Sequence, residues 1–312
     1  MASTLAGRDL ISTADLTKQE TELVLAQAGQ FQQRCQKERR LDLLPGRILA
    51  TLFYEPSTRT RLSFEAAMQR LGGDVISVAE GAKSSSVAKG ESLGDAARVV
   101  SGYADVIVQR HPAVGSAQQA AAGATVPLIN GGDGVGEHPT QALLDLYTIQ
   151  QERGTLDELR VGLVGDLKHG RTVHSLSRAL SHWQPRLTFI SPAELSMPPE
   201  ISERLLDEGV RIQETDDLAA AIGECDVLYV TRIQRERFGD PAEYERLKES
   251  YVLDRALVES TNPNVTVMHP LPRVSEIAHD VDSLPGAAYF RQAANGVWVR
   301  MAILALVLGA EG

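Results

Sequence analysis

Short apolar runs alternate along this chain with stretches in which apolar residues return every three or four positions. Brief apolar runs between turn signals predict strands, and the longer periodicity predicts helices. In the first half the predicted strands are residues 48–54, 75–78, 106–109 and 126–129, with helices over 62–71, 91–101 and 116–122. The cluster Gly131-Gly132-Asp133-Gly134-Val135-Gly136 interrupts the rhythm and predicts a loop and candidate hinge, after which 141–150 resumes as a helix. A second series follows, with strands at 161–164, 187–190, 210–213 and 227–230 and helices at 172–180, 201–207 and 218–222. Residues 297–308 form the most apolar tail segment. Arg300 interrupts it and it is too short to span a bilayer, so it predicts a packed terminal helix. This alternation is the pattern of parallel sheets covered by helices. It predicts an α/β fold of two domains, each a mainly parallel sheet flanked by helices: residues 1–139 completed by a C-terminal helix at 295–312, and residues 140–294.

Composition narrows the chemistry. The 312 residues are enough for two cores, and 43% hydrophobic with 23% charged residues is ordinary for a globular protein. The formal net charge of -10 argues against nucleic acid, whose binding needs a basic face. Cys35 and Cys225 are too few and too far apart for a disulfide framework or a zinc cluster, so no metal is expected. Arg8 and Asp9 stand where a secretory signal needs its apolar core, and a cytoplasmic location is the expectation. Gly162-Leu163-Val164-Gly165 lacks the spacing of a dinucleotide turn, and no cofactor is expected.

The candidate chemistry lies in the loops. Ser57-Thr58-Arg59-Thr60-Arg61 gathers hydroxyls and guanidinium groups where the first strand hands over to a helix. A helix start offers unpaired backbone N–H groups and the positive end of the macrodipole, which suits phosphate. Alternatively, Ser57 is only an N-cap and the arginines a solvated first turn. Other cations obey one rule: Arg59, Arg110, Lys168, Arg171 and Arg232 each follow a predicted strand. Open parallel sheets bind ligands at those strand ends. His138 and Gln141 follow the glycine cluster and read as substrate contacts, whereas His111 reads as structural. Lys89, in the small polar stretch from Ser84 to Glu91, is either a solvated surface charge or an ammonium that closes over an anion.

Six segments in order, Ser57-Thr58-Arg59-Thr60-Arg61, Arg110-His111-Pro112, His138-Pro139-Thr140-Gln141, Asp166-Leu167-Lys168-His169-Gly170-Arg171, Thr231-Arg232-Ile233-Gln234 and His269-Pro270-Leu271-Pro272, resemble the catalytic chains of the aspartate carbamoyltransferase family. The resemblance covers nearly the whole chain. Ornithine-specific relatives carry a cysteine where this chain has Pro270, and they lack the pair seen here as Arg232 and Gln234. An ornithine-type enzyme and an inactive relative serving as a scaffold or sensor are the alternatives. His169 stands where many relatives carry tyrosine.

The resemblance implies transfer of a carbamoyl group from carbamoyl phosphate to the amine of L-aspartate, in pyrimidine biosynthesis, with no covalent enzyme intermediate. It implies that Ser57, Thr58, Arg59, Thr60 and Arg110 hold the donor phosphate, and that Thr60, Arg110 and His138 face its carbonyl oxygen. Gln141 and the backbone carbonyl of Pro270 receive the amide hydrogens. Arg171, Arg232 and Gln234 hold the aspartate carboxylates, with the backbone of Leu271 bordering both substrates. Ser85 and Lys89 come from an adjacent subunit, Lys89 toward aspartate, which implies a homotrimer with shared sites between the two domains. Glu55 is implied to pair with Arg171 and Arg237 on domain closure. A regulatory chain or a dihydroorotase-like partner is a further expectation, and no membrane or nucleic acid is expected as a partner.

Overall fold

The architecture is described from a computed structural model, for residues 5–79, 90–233, 242, 246–247 and 251–310. The chain divides into two compact units, residues 1–147 with 294–312, and residues 148–293.

In the first unit four strands form one parallel sheet: β1 (Ile48–Phe53), β2 (Asp74–Val78), β3 (Val106–His111) and β4 (Leu128–Asp133). Their order is β2-β1-β3-β4. The chain therefore builds outward from β1 on one side and from β3 on the other, so the point where its direction reverses lies between β1 and β3. Helices α1 (Lys18–Lys37), α2 (Thr58–Arg70), α3 (Leu93–Val100), α4 (Ser116–Ala121) and the start of α5 (Pro139–Arg153) belong to this unit. Ala50, Leu52, Ile107 and Leu128 of the sheet pack with Ala97, Ala117 and Ala120 of α3 and α4. Those two helices approach so closely that a Cβ on Gly123 would lie 2.1 Å from the carbonyl oxygen of Gly94.

The last helix, α10 (Tyr289–Val307), enters this unit from residue 294. Val299 and every residue from Met301 to Val307 are buried, as expected of a helix that is apolar all round. No helix among the described residues is long and apolar enough to cross a membrane.

The second unit carries a five-stranded parallel sheet of β5 (Arg160–Val164), β6 (Arg186–Ile190), β7 (Arg211–Thr215), β8 (Val227–Val230) and β9 (Thr266–Met268), in the order β7-β6-β5-β8-β9. Here the reversal lies between β5 and β8. Helices α6 (Arg171–Leu180), α7 (Pro199–Asp207), α8 (Leu218–Ile222) and α9 (Arg255–Thr261) flank it. Val164, Ile190, Leu228 and Val230 pack with Ile222, Val258 and Val281 in the core.

The glycine cluster differs from its predicted loop. β4 continues through Gly131 and Gly132 to Asp133, pairing with β3 across a register shift after Gln109. Bare glycines allow this: a Cβ on Gly131 would sit 3.2 Å from the oxygen of Gln109. Asp133 then fastens the turn, accepting from the backbone N–H of Gly115 at 2.8 Å and of Glu137 at 2.7 Å. The segment before His138 is a clasped turn rather than an open loop.

Candidate active site

The first unit places its cations at the reversal point of its sheet. β1 ends at Phe53, and Ser57 leads into α2 with extended backbone and no capping bond from its hydroxyl. The first turn of α2 contains no acidic residue. Arg61 is drawn away to Glu65, 3.7 Å off along the same helix. Arg59 remains at the exposed rim of the helix start, where partial burial of its guanidinium lowers its pKa.

Arg110 is the penultimate residue of β3, the neighbouring strand across the reversal point. Its Nη1 donates to the carbonyl oxygen of Gly131 at 3.2 Å, and its Nη2 lies 3.2 Å from a carboxylate oxygen of Glu55. Among the described residues Nε has no hydrogen-bond partner. Burial pushes its pKa down, Glu55 opposes that, and the positive charge of Arg59 adds to it. Two guanidinium groups that repel one another where no residue of the adjacent helix turn is acidic form a site waiting for an anion.

His138 is buried just before α5, with Nε2 3.5 Å from Oγ1 of Thr60 in α2. Its carbonyl oxygen accepts from the backbone N–H groups of Gln141 and Ala142. Gln141 donates its side-chain amide to Asp145 at 2.9 Å. His111 faces elsewhere. Its Nδ1 accepts from the N–H of Ala113 at 3.0 Å, and its ring meets Tyr54 edge to face, so it fastens a turn.

The second unit uses the same topological device. Gly165 after β5 and Thr231 after β8 pack so tightly that a Cβ on Gly165 would lie 2.4 Å from the oxygen of Thr231, at a φ of +111° that favours glycine. Arg171 opens α6 and Arg232 follows β8, both partly exposed. His169 turns back to Asp166, which is fully buried, at 3.1 Å.

The loop 269–274 is set by a buried pair of which the sequence motif contained only His269. Nδ1 of His269 accepts from the N–H of Leu271 at 2.8 Å, so its proton resides on Nε2, which donates to Glu276 at 2.7 Å. Leu271 has a φ of +56°, which costs a residue with a Cβ roughly 1 to 2 kcal/mol, and this hydrogen bond holds it there. Burial lowers the pKa of His269, with Glu276 opposing and Arg273 and Arg232 adding to the effect. Burial alone would raise Glu276, but the bond and charge of His269 and the N–H of Val274 outweigh it and leave its pKa lowered. Arg232 is thus within electrostatic reach of the His269 ring. Ser85, Lys89, Gln234 and Arg237 lie outside the described residues.

Known proteins match both halves of this arrangement. Residues 8–151 match the carbamoyl-phosphate-binding domain of aspartate/ornithine carbamoyltransferases, and residues 157–307 match their aspartate/ornithine-binding domain. The aspartate carbamoyltransferase catalytic subunit of Thermococcus onnurineus is 54% identical over 303 residues, covering 97% of each chain. The catalytic subunit of M. jannaschii aspartate transcarbamoylase superposes with a TM-score of 0.89 at 54% identity, covering 95% of this chain and 96% of its own. The Trypanosoma cruzi aspartate transcarbamoylase, solved in complex with carbamoyl phosphate and aspartate, gives a TM-score of 0.93 at 40% identity over 98% of both chains. With both halves matched by the family's two domain models and with cations at both reversal points, the chain belongs to the aspartate/ornithine carbamoyltransferase family.

Proposed function

We propose that the chain catalyses transfer of the carbamoyl group of carbamoyl phosphate to the amine of L-aspartate, giving N-carbamoyl-L-aspartate and phosphate. The observation that carries this reading is the pair Arg59 and Arg110, mutually repelling beside an uncapped helix start, with Thr60 and His138 3.5 Å apart next to them. Ser57, Thr58, Arg59, Thr60 and Arg110 bind the phosphate. Thr60, Arg110 and His138 face the carbonyl oxygen. Gln141 and the Pro270 carbonyl accept the amide hydrogens, and Arg171, Arg232, Gln234 and the Leu271 backbone take the aspartate.

Attack of a neutral amine on the carbonyl builds negative charge on its oxygen, and donors fixed there stabilise the transition state more than the ground state. One charge-assisted hydrogen bond contributes about 1.5 to 3 kcal/mol, whereas enzymatic acceleration needs about 8 kcal/mol or more. Several donors acting together, with both reactants aligned, make up the difference. His138 serves as a neutral donor. The departing phosphate takes the amine proton, and no side chain is carbamoylated.

Aspartate rather than ornithine is the acceptor, since a dicarboxylate suits Arg171 and Arg232. The product enters pyrimidine biosynthesis in the cytoplasm. The working form is a homotrimer in which Ser85 and Lys89 of a neighbouring chain complete each site, open to a regulatory chain or a dihydroorotase-like partner. Purified chain supplied with carbamoyl phosphate and either L-aspartate or L-ornithine, with mass measured on the same preparation, tests the acceptor and the shared site. Carbamoylation of ornithine in preference to aspartate overturns the acceptor, and an active monomer overturns the shared site.

A further inference from the structure

Behind Gln141 lie a buried carboxylate and a buried guanidinium that the mechanism above does not use. Asp145, one turn further along α5, is fully buried and accepts the Gln141 amide at 2.9 Å. Arg300 of α10 lies within electrostatic reach of it and is itself 3% exposed. Its guanidinium lies over the ring of Phe64 in α2 at 5.0 Å, and its Nη2 makes a long 3.4 Å contact with Oγ1 of Thr140. Room for it is made by Gly296, where a Cβ would lie 2.3 Å from Nη1. Burial lowers the pKa of Arg300 to about 9, with Asp145 opposing and Arg110 adding to the effect.

Such a pair is a poor device for stability. Taking two charges out of water costs as much as their attraction returns, and apolar residues of similar volume usually serve a core equally well. Its position suggests what it is for instead. An ionised carboxylate can only accept hydrogen bonds, so Asp145 obliges Gln141 to turn its NH2 group inward and leaves the amide oxygen for the site. A reversed amide would set oxygen against oxygen. The positive charge of Arg300 nearby suits an acceptor-only carboxylate at this position.

We propose that Asp145 and Arg300 are positioning residues that fix the amide of Gln141 with its oxygen toward the NH2 group of the donor, and so select a carbamoyl phosphate over an acyl phosphate. The proposal rests on the reaction assigned above and adds to it the origin of donor selectivity. Acetyl phosphate is the probe, because it keeps the phosphate and carbonyl and replaces NH2 by a methyl group with no hydrogen to donate.

The experiment compares the KM for carbamoyl phosphate with the inhibition constant of acetyl phosphate in wild type, D145N and the double variant D145L/R300M. In D145N the asparagine turns its oxygen to Arg300 and its NH2 to Gln141, which turns the Gln141 amide over. The double variant leaves no buried charge, so it folds even where the single variant does not, and it releases Gln141 from its anchor. In both, preference for carbamoyl over acetyl phosphate should fall about tenfold, the worth of one hydrogen bond replaced by a mismatch, with the KM for aspartate unchanged. A preference equal to wild type in either folded variant overturns the proposal. So does an equal rise in all three constants, which marks a merely structural pair. A wild-type protein that fails to carbamoylate aspartate overturns the functional reading instead.

Discussion

The two units use the same sheet device but bury different groups beside it. In the first, cations flank the reversal between β1 and β3, and desolvation together with the repulsion between Arg59 and Arg110 lowers the pKa of Arg110. In the second, Arg171 and Arg232 near the β5–β8 reversal stay partly exposed, and the buried groups are a histidine and a carboxylate that hold backbone. The difference follows the proposed ligands. A phosphate repays one deeply desolvated cation, Arg110, because charge-assisted bonds in a drier site are stronger. An amino acid that must be read at both ends needs placed backbone as much as charge.

Arg110→Ala is the most damaging single change this comparison implies. Removing one member of a buried, charge-paired set costs about 2 to 5 kcal/mol, or thirtyfold to several thousandfold in kcat/KM for carbamoyl phosphate. Aspartate binding to the second unit should change far less, which equilibrium binding of aspartate to each protein would check. Equal losses for both substrates would break the division of labour.

Ser57→Ala comes next and separates phosphate binding from helix capping. A cap lost to alanine costs about 0.5 to 2 kcal/mol of stability, but the Ser57 hydroxyl makes no capping bond. Thermal stability should therefore hold while the KM for carbamoyl phosphate rises tenfold or more, the worth of about 1.5 kcal/mol in a bond to a charged group. A drop in Tm with an unchanged KM would return Ser57 to capping.

In the second unit, Glu276→Gln should cost about 1 to 3 kcal/mol, by weakening the acceptor for the Nε2 proton of His269 and for the N–H groups of Val274 and Ser275. Its pH dependence carries the sign of both shifts. His269 titrates lower when folded than at its ordinary 6.5, so the unfolded chain binds more protons and stability falls as pH drops below about 6.5. Glu276 is lowered from 4.5, so its contribution is present above 4.5 and is lost as pH falls through the folded value. The two add. Melting curves of wild type should weaken steadily from pH 6.5 downward, and His269→Gln should flatten the part above 4.5. A wild-type Tm that is constant across that range would show that the pair is not held in this protonation state.

Strand and helix identity was legible from residue 48 to residue 230, because the central strands are buried on both faces and read as continuous apolar runs, while the helices between them keep a single apolar stripe. The pattern was weaker where side chains are missing: Gly131 and Gly132 read as loop yet pair as strand, since nothing but backbone specifies them. α1 carried a usable signal, a capping box of Thr17 and Glu20 followed by Val24, Ala28 and Phe31 on its buried side. β9, three residues long, carried almost none. Cations at the strand ends were legible because arginine after a strand is conspicuous. Arg300 was not, because an arginine within an apolar helix reads as an interruption, and only packing brings Asp145 and Gln141 into its neighbourhood.

Glu55 gives the smallest effect and the sharpest test of the comparison. It lies 3.2 Å from Arg110 and is one-third exposed, so as a counter-ion it contributes only about 0.2 to 1 kcal/mol. Its removal by that account would tighten carbamoyl phosphate a few-fold at most, since the anion no longer competes with a carboxylate for the guanidinium. The partnership with Arg171 and Arg237 that the family resemblance implies acts on the other substrate. We expect Glu55→Ala to raise the KM for aspartate more than it changes the KM for carbamoyl phosphate, measured by saturating each substrate in turn. If only the carbamoyl phosphate constant moves, Glu55 belongs to the first unit alone, and its carboxylate serves to keep Arg110 folded and charged until phosphate replaces it.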